Sequence, residues 1–204
     1  FDLIHDDEKA AAIIIEIEDD KRTKILDNFS ANEIVNDVID KLASDDAADV
    51  IGEFTKNKKE EVLSLIKDEK IVKNINDLLS YPKNTAGSLM EKELIKVNEN
   101  WHTFQCLKEI RKQSNNVKNI YTIYVVNDEN KLLGLMSLRS LLLTEKSKAI
   151  KNIININIIS IKSNEENGNI ANMMQKYDLV TLPVVDNHGK LLGRITIDDV
   201  MDVA

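Results

Sequence analysis

Asp45 and Asp49 stand four residues apart in Ser44-Asp45-Asp46-Ala47-Ala48-Asp49-Val50. On a helix both project from one face, where like charges oppose each other by roughly 0.2–0.5 kcal/mol. A divalent cation turns that repulsion into attraction, and a small hard cation that keeps most of its waters needs only one or two carboxylates. The same residues also admit an ordinary structural reading, because acids are favoured at a helix N-terminus by capping and by the dipole. That reading covers Asp45 and Asp46. Asp49 lies a full turn further in, where a solvated face is the bland alternative to a ligand. Toward the other end, Asp178 follows Tyr177 just before a strand, and Asp199 and Asp202 lie three apart on the last helix. Their ordinary readings are a turn residue for Asp178 and a solvated surface acid for Asp202, with Asp198 as the N-cap of that helix.

Other chemistry is poorly supported. His5, His102 and His188 are dispersed, with no Cys or His metal spacing, and no nucleophile and base recur in a pattern that would make an enzyme. Gly87 and Gly134 belong to turns and not to a phosphate loop. The lone Cys106, set in Phe104-Gln105-Cys106-Leu107, reads as a small buried hydrophobe in a reducing environment. Trp101 and Phe104 are expected to anchor a helix in the core. The net charge of −8 is uneven. Residues 1–61 hold 18 acidic against 8 basic side chains, and the remainder holds 17 against 19. An acidic part joined to a nearly neutral one argues against nucleic acid as a partner and favours cations. Apolar runs such as Ala10 to Ile15 fall far short of the ~20 residues that span a bilayer. The chain therefore reads as soluble, and its start at Phe1 suggests a piece of a longer protein.

The elements that must position these acids change character near Tyr81-Pro82, where proline forbids a helix to continue. Before it, apolar residues recur at helical spacing, as in Ile34, Val35, Val38, Ile39 and Leu42. Short helices are expected over 7–17, 21–29, 31–42, 45–54, 58–66 and 71–79, winding into a small superhelix. Ser30 with Glu33 makes a capping-box pattern.

Beyond Pro82 the chain says one thing twice. Val125-Val126-Asn127-Asp128-Glu129-Asn130-Lys131-Leu132-Leu133-Gly134 returns as Val184-Val185-Asp186-Asn187-His188-Gly189-Lys190-Leu191-Leu192-Gly193. A duplicated unit of this kind packs against its copy. Each round reads as strand, helix, strand, strand, helix. The first runs through 95–97, 103–113, 121–126, 132–136 and 138–143, and the second through 156–161, 168–177, 181–185, 193–196 and 198–203. The fold class is α+β, with residues 1–81 an acidic all-α superhelical domain and 82–145 and 146–204 the two repeats.

Leu182-Pro183-Val184-Val185-Asp186 and Gly193-x-x-Thr196-x-x-Asp199 resemble a tandem pair of cystathionine-β-synthase-type (CBS) domains. Tyr81-Pro82-x-x-Thr85-Ala86-Gly87-Ser88-Leu89-Met90, Ile123-Tyr124-Val125-Val126, Ser137-Leu138-Arg139 and Gln175-Lys176-Tyr177-Asp178-Leu179 narrow the resemblance. They are similar to the cytosolic region of MgtE-type magnesium transporters, and Ser44 to Val50 is similar to that family's acidic N-domain. The resemblance covers about Asp7 to Ala204.

It implies a magnesium sensor on the cytoplasmic face of the cell membrane, dimeric through its CBS pairs and joined to a transmembrane pore after Ala204. Mg2+ bridges acids of the N-domain and the CBS pair and favours a closed pore, and its loss frees both. Carried over position by position, Asp45, Asp49, Asp178, Asp199 and Asp202 are the implied metal ligands. Two departures qualify the transfer. Ile13 stands where the family can carry a glutamate, with Glu16 and Glu18 nearby, and Gly168 where an acid can begin the second CBS helix, with Glu165 and Glu166 nearby. CBS pairs also hold adenosine ligands through a Ser/Thr-x-x-Asp element. Thr196 and Asp199 keep it, with Arg139 a further contact, but the first repeat reads Ser137-Leu138-Arg139-Ser140 without the acid, and Thr122 stands where an aromatic could stack. The resemblance therefore weighs against ATP.

Overall fold

A computed structural model describes residues 7–117 and 119–202, in two compact units, 1–81 and 82–204. The first unit is helical. Its α1 (Asp7–Ile15), α2 (Asp19–Leu26) and α3 (Ala31–Glu33) precede α4 (Ser44–Glu53), α5 (Lys56–Leu65) and α6 (Glu69–Leu79). The start of α3 is fixed by a reciprocal cap. Ser30 Oγ accepts the Glu33 N–H at 3.3 Å and Glu33 Oε2 accepts the Ser30 N–H at 2.8 Å, which satisfies two donors the helix leaves open. The same Oε2 also accepts the Ser30 hydroxyl at 2.7 Å, and the hydroxyl and the Ser30 N–H together hold the Glu33 carboxyl below the usual carboxylate range.

The expected single helix over 31–42 is broken up: after α3 the chain makes a π turn over Ile34–Val38 and a 3-10 turn over Ile39–Lys41. Four β-branched residues in this stretch lower its helical propensity. Ile34, Val35, Val38 and Ile39 are nevertheless all buried, so the apolar stripe keeps its role while the winding departs from regular. Leu26, Val50, Ile51, Val62, Ile75 and Leu78 complete this core, and α4 packs on α6.

The second unit opens with α7 (Ala86–Leu89) and then builds the same motif twice. The first copy is β1 (Ile95–Asn98), α8 (Thr103–Gln113), β2 (Ile123–Val126), β3 (Leu132–Met136) and α9 (Leu138–Leu143). The second is β4 (Ile161–Lys162), α10 (Asn167–Tyr177), β5 (Thr181–Val185), β6 (Leu191–Thr196) and α11 (Ile197–Asp202). Each sheet has three strands in sequence order, the first pair parallel around a crossover helix and the second an antiparallel hairpin. Both hairpins shift register at the same place in the repeat, between Val125 and Val126 and between Val184 and Val185.

The hairpin turns are organised alike. Asn127 Oδ1 accepts the N–H groups of Glu129 and Lys131 at 3.0 and 2.9 Å, and Asp186 Oδ1 accepts those of His188 and Lys190 at 2.8 Å each. Their tips pair with one another. The Leu191 N–H reaches the Asn130 carbonyl at 2.9 Å, the Leu132 N–H reaches that of Gly189 at 3.0 Å, and the Asn130 side-chain amide donates to the Leu191 carbonyl at 2.7 Å.

Three local expectations change. The strand expected over 156–161 survives only as β4, and Ile156 is exposed; Asn155 bridges Leu135 instead. Phe104 does not anchor α8 in the core, being 62% exposed, because Cys106 and Ile110 carry the buried face of that helix while Trp101 packs at its edge. The last helix begins before Asp198, so that residue is in its first turn and not its cap.

Candidate functional site

In the helical unit the acids belong to α4. Asp45 and Asp46 lie in its first turn and Asp49 one turn further on, exposed. Ala47, Ala48, Val50 and Ile51 form the buried stripe that fixes which way the helix faces. The helix is tethered by a charge network. Arg22 of α2 donates to both carboxylate oxygens of Glu53, to Asp19 Oδ1 at 2.8 Å and to the Ile15 carbonyl at 2.8 Å. Burial works against the charge of Arg22, but Glu53, Asp19 and Asp49 outweigh it and hold the guanidinium above its ordinary pKa. Asp49 thus feels a neighbouring cation.

In the second unit the functional residues gather where β6 runs into α11. Thr196 directly precedes the helix, and Asp199 Oδ2 accepts the Thr196 N–H at 2.8 Å, with the Thr196 hydroxyl also favouring the charged carboxylate. Burial raises the pKa of Asp199, against these two hydrogen bonds and the charge of Arg194. The equivalent place in the first copy shows what lacks the acid. Ser137 Oγ accepts the Ser140 N–H at 3.0 Å and the two hydroxyls meet at 2.8 Å, with no charge present.

Asp178 is exposed at the C-terminus of α10, in the left-handed region at φ 51°. Arg139 is exposed in the first turn of α9, and the structure gives it no part in the Thr196–Asp199 arrangement. Asp202 closes α11, and its side chain lies outside the described residues. Along α4, then, Asp45 is buried while Asp49, four residues on, is exposed, and in the second unit the structure joins Thr196 to Asp199.

Sequence reasoning missed Glu91 and Arg194. Arg194 is 3% exposed; its Nε donates to Glu91 Oε2 at 2.7 Å and its Nη1 to the Asn119 carbonyl at 3.0 Å. The backbones pair as well, through Glu91 N–H to Arg194 O at 2.8 Å and Arg194 N–H to Glu91 O at 3.0 Å. Burial raises the pKa of Glu91, opposed by Arg194 and reinforced by Asp199. The signal was present in the repeat: aligning Gly134 with Gly193 sets Leu135 against Arg194, a lone charge in an otherwise apolar strand.

All the implied ligands are carboxylates. Hard oxygen donors, with lone pairs on Asp199 beyond those that Thr196 uses, suit magnesium, which takes few protein ligands and retains water.

Two hairpin-and-helix copies joined at their turns, following a helical acidic unit in the sequence, have the make-up of a CBS pair. The family models agree on both parts: the MgtE intracellular N domain matches residues 1–84 and the CBS domain matches 86–145 and 150–204. The chain belongs to the MgtE family.

A magnesium transporter MgtE of Thermus thermophilus is 28% identical over 129 residues, 63% of this chain and 29% of that protein. One of Enterococcus faecalis is 32% identical over 129 residues, 63% of this chain and 28% of that protein. The matched stretch thus spans less than a third of these relatives. A crystal structure of the soluble part of a magnesium transporter matches with TM-score 0.85 and 29% identity, covering 97% of this chain and 77% of that one. The cytosolic domain of the Mg2+ channel MgtE in complex with ATP matches with TM-score 0.89 and 27% identity, covering 98% and 81%. Among the described residues no helix is long and apolar enough to cross a membrane.

Proposed function

We propose that this chain is the magnesium-sensing regulatory region of a magnesium transporter, acting on the cytoplasmic face of the cell membrane. The observation that carries the reading is the order of the two family parts, N domain then CBS pair, across nearly the whole chain. Asp45 and Asp49 on α4, and Asp178, Asp199 and Asp202 in the CBS pair, supply the carboxylates. Bound Mg2+ neutralises acids of both parts and favours a compact state that closes the pore of the full transporter. Loss of the ion restores their repulsion, loosens the N domain and opens the pore. The working assembly is a homodimer through the CBS pairs.

Small-angle scattering and limited proteolysis of the 204-residue chain test this directly. Millimolar Mg2+ should reduce the radius of gyration and slow cleavage, and Asp45→Asn with Asp199→Asn should blunt both. Unchanged dimensions with no site-specific Mg2+ binding would sink the proposal.

A nucleotide-sensing role is the second reading. It is favoured by the ATP complex of the relative and by the Thr196–Asp199 pair, whose hydrogen bond leaves lone pairs that could accept ribose hydroxyls. Ser140 in the place of the acid confines it to one half of the pair. Calorimetry with ATP, ADP and AMP decides it; absence of heat for all three removes it.

A further inference from the structure

Arg194 is a buried cation whose partner Glu91 brings a carboxylate oxygen within 4.8 Å of one on Asp199, a proposed magnesium ligand. Alternation along β6 puts Arg194 and Thr196 on the same face, and Thr196 is the residue that holds the Asp199 carboxylate. The guanidinium cannot leave: Glu91 and the Asn119 carbonyl bind it, and the Glu91–Arg194 backbone pairing locks the segment that carries Glu91 to the strand that carries Arg194. Its charge favours the ionised form of Asp199, whereas the charge of Asp199 disfavours ionised Glu91. Three ionisable groups therefore share one field in a water-poor environment, where charges act more strongly than in bulk solvent.

We propose that Arg194 sets the cation affinity of the Asp199 wall. Its positive charge, only partly offset by Glu91, opposes an arriving divalent ion and keeps binding weak enough for release when the ion becomes scarce. Glu91 acts in the opposite sense by neutralising the guanidinium. The pair thus works as a charge setting built into β6, a role the first copy lacks because Leu135 stands at the matching place. This inference rests on the reading of Asp199 as a magnesium ligand.

Charge and structural support are separated by calorimetric titration of MgCl2 into the 204-residue chain, with thermal melts confirming that each variant is folded. Arg194→Met should bind Mg2+ about ten-fold more tightly and Glu91→Gln about ten-fold more weakly. The double variant restores the net charge and should return to within about two-fold of the parent. A merely structural lock predicts instead that the double variant fails as badly as either single one, which overturns the proposal. An unchanged affinity in both single variants overturns it too. If Arg194→Met does not fold, Arg194→Gln takes its place: tighter binding supports the proposal and parental binding defeats it. A parent chain that binds no Mg2+ rejects the sensing function itself, an outcome distinct from parental binding that ignores these charges.

Discussion

A β-carbon added to Gly193 would stand 2.6 Å from the Glu91 carbonyl oxygen, the same oxygen that accepts the Arg194 N–H at 3.0 Å. The absent side chain is what lets the chain after α7 lie against β6. In the first copy Gly134 does the equivalent work, with Asn155 O 3.1 Å from its would-be β-carbon and Asn155 paired to Leu135. The glycine that ends each repeated motif therefore admits an extra strand-like partner to the outer strand of each sheet. Duplication has copied the docking groove along with the hairpin.

Gly193→Ala should accordingly destabilise the CBS pair by about 1–3 kcal/mol, because the obstructing atom is main chain and the Met90 side chain is crowded as well, at 2.9 Å. Gly134→Ala should fall at the lower end of that range, since its nearest obstacle is the Ile154 side chain at 2.9 Å and its main-chain neighbour, Asn155 O, stands 3.1 Å away in place of 2.6 Å. Urea unfolding measures both, and a Gly193→Ala variant with an unshifted midpoint would contradict the steric account.

The double hairpin was legible in the sequence because it leaves a period-two apolar pattern, a turn and a glycine, all of which appear twice. The helical first unit was legible for a similar reason, its stripes repeating every three to four residues. What escaped were features with no periodic signature. Ile34 to Lys41 winds irregularly while burying the residues a regular helix would bury, so the pattern alone could not distinguish the two. Phe104 is exposed because Cys106 and Ile110 suffice for the core face of α8, and aromatic size misled the reading. Among the acids, the Thr196-x-x-Asp199 spacing marked a pair that the structure joins by a hydrogen bond. The partner of Arg194 could not be read, because Glu91 lies 103 positions away and approaches only through the groove at Gly193.

Arg22 should be the most sensitive charged position of the helical unit. Its side chain and that of Glu53 are both largely withdrawn from water, and they join α2 to the helix bearing Asp45 and Asp49. Arg22→Met leaves the Glu53 carboxylate without its main partner and should cost about 3–5 kcal/mol, whereas Arg22→Met with Glu53→Leu should recover much of it. Denaturant unfolding of the two variants is the measurement; equal losses would show that packing of the Arg22 stem, and not an uncompensated charge, governs the site.

Cys106 lies in the core of the first repeat, where burial pushes the thiol up to about 12. At pH 8 the folded protein should therefore resist iodoacetamide, which attacks the thiolate, and should react readily once urea exposes the residue. The same shift carries a sign for stability. Above the ordinary thiol range the unfolded chain loses this proton while the folded one keeps it, so the contribution of Cys106 falls as the pH rises toward 12. Cys106→Ala should flatten that alkaline decline at the expense of a small cavity, and fast labelling of the folded chain would refute the burial argument.

Asp178 permits a clean separation of ligand from scaffold. Its backbone adopts the left-handed conformation at φ 51° and ψ 50°, which disfavours side chains other than glycine and, to a lesser degree, asparagine or aspartate. The residue ends α10, where glycine is the common choice, and its side chain is exposed. Asp178→Gly should thus leave stability unchanged or raise it by about 0.5–1 kcal/mol, because the relieved backbone outweighs the lost exposed carboxylate. The magnesium response answers to the carboxylate alone. If Asp178 supplies oxygen to the ion, the variant should melt at or above the parental temperature without magnesium and yet require several-fold more Mg2+ to reach the same protection from protease. Parental magnesium dependence in this well-folded variant would remove Asp178 from the ligand set and assign the aspartate to the turn.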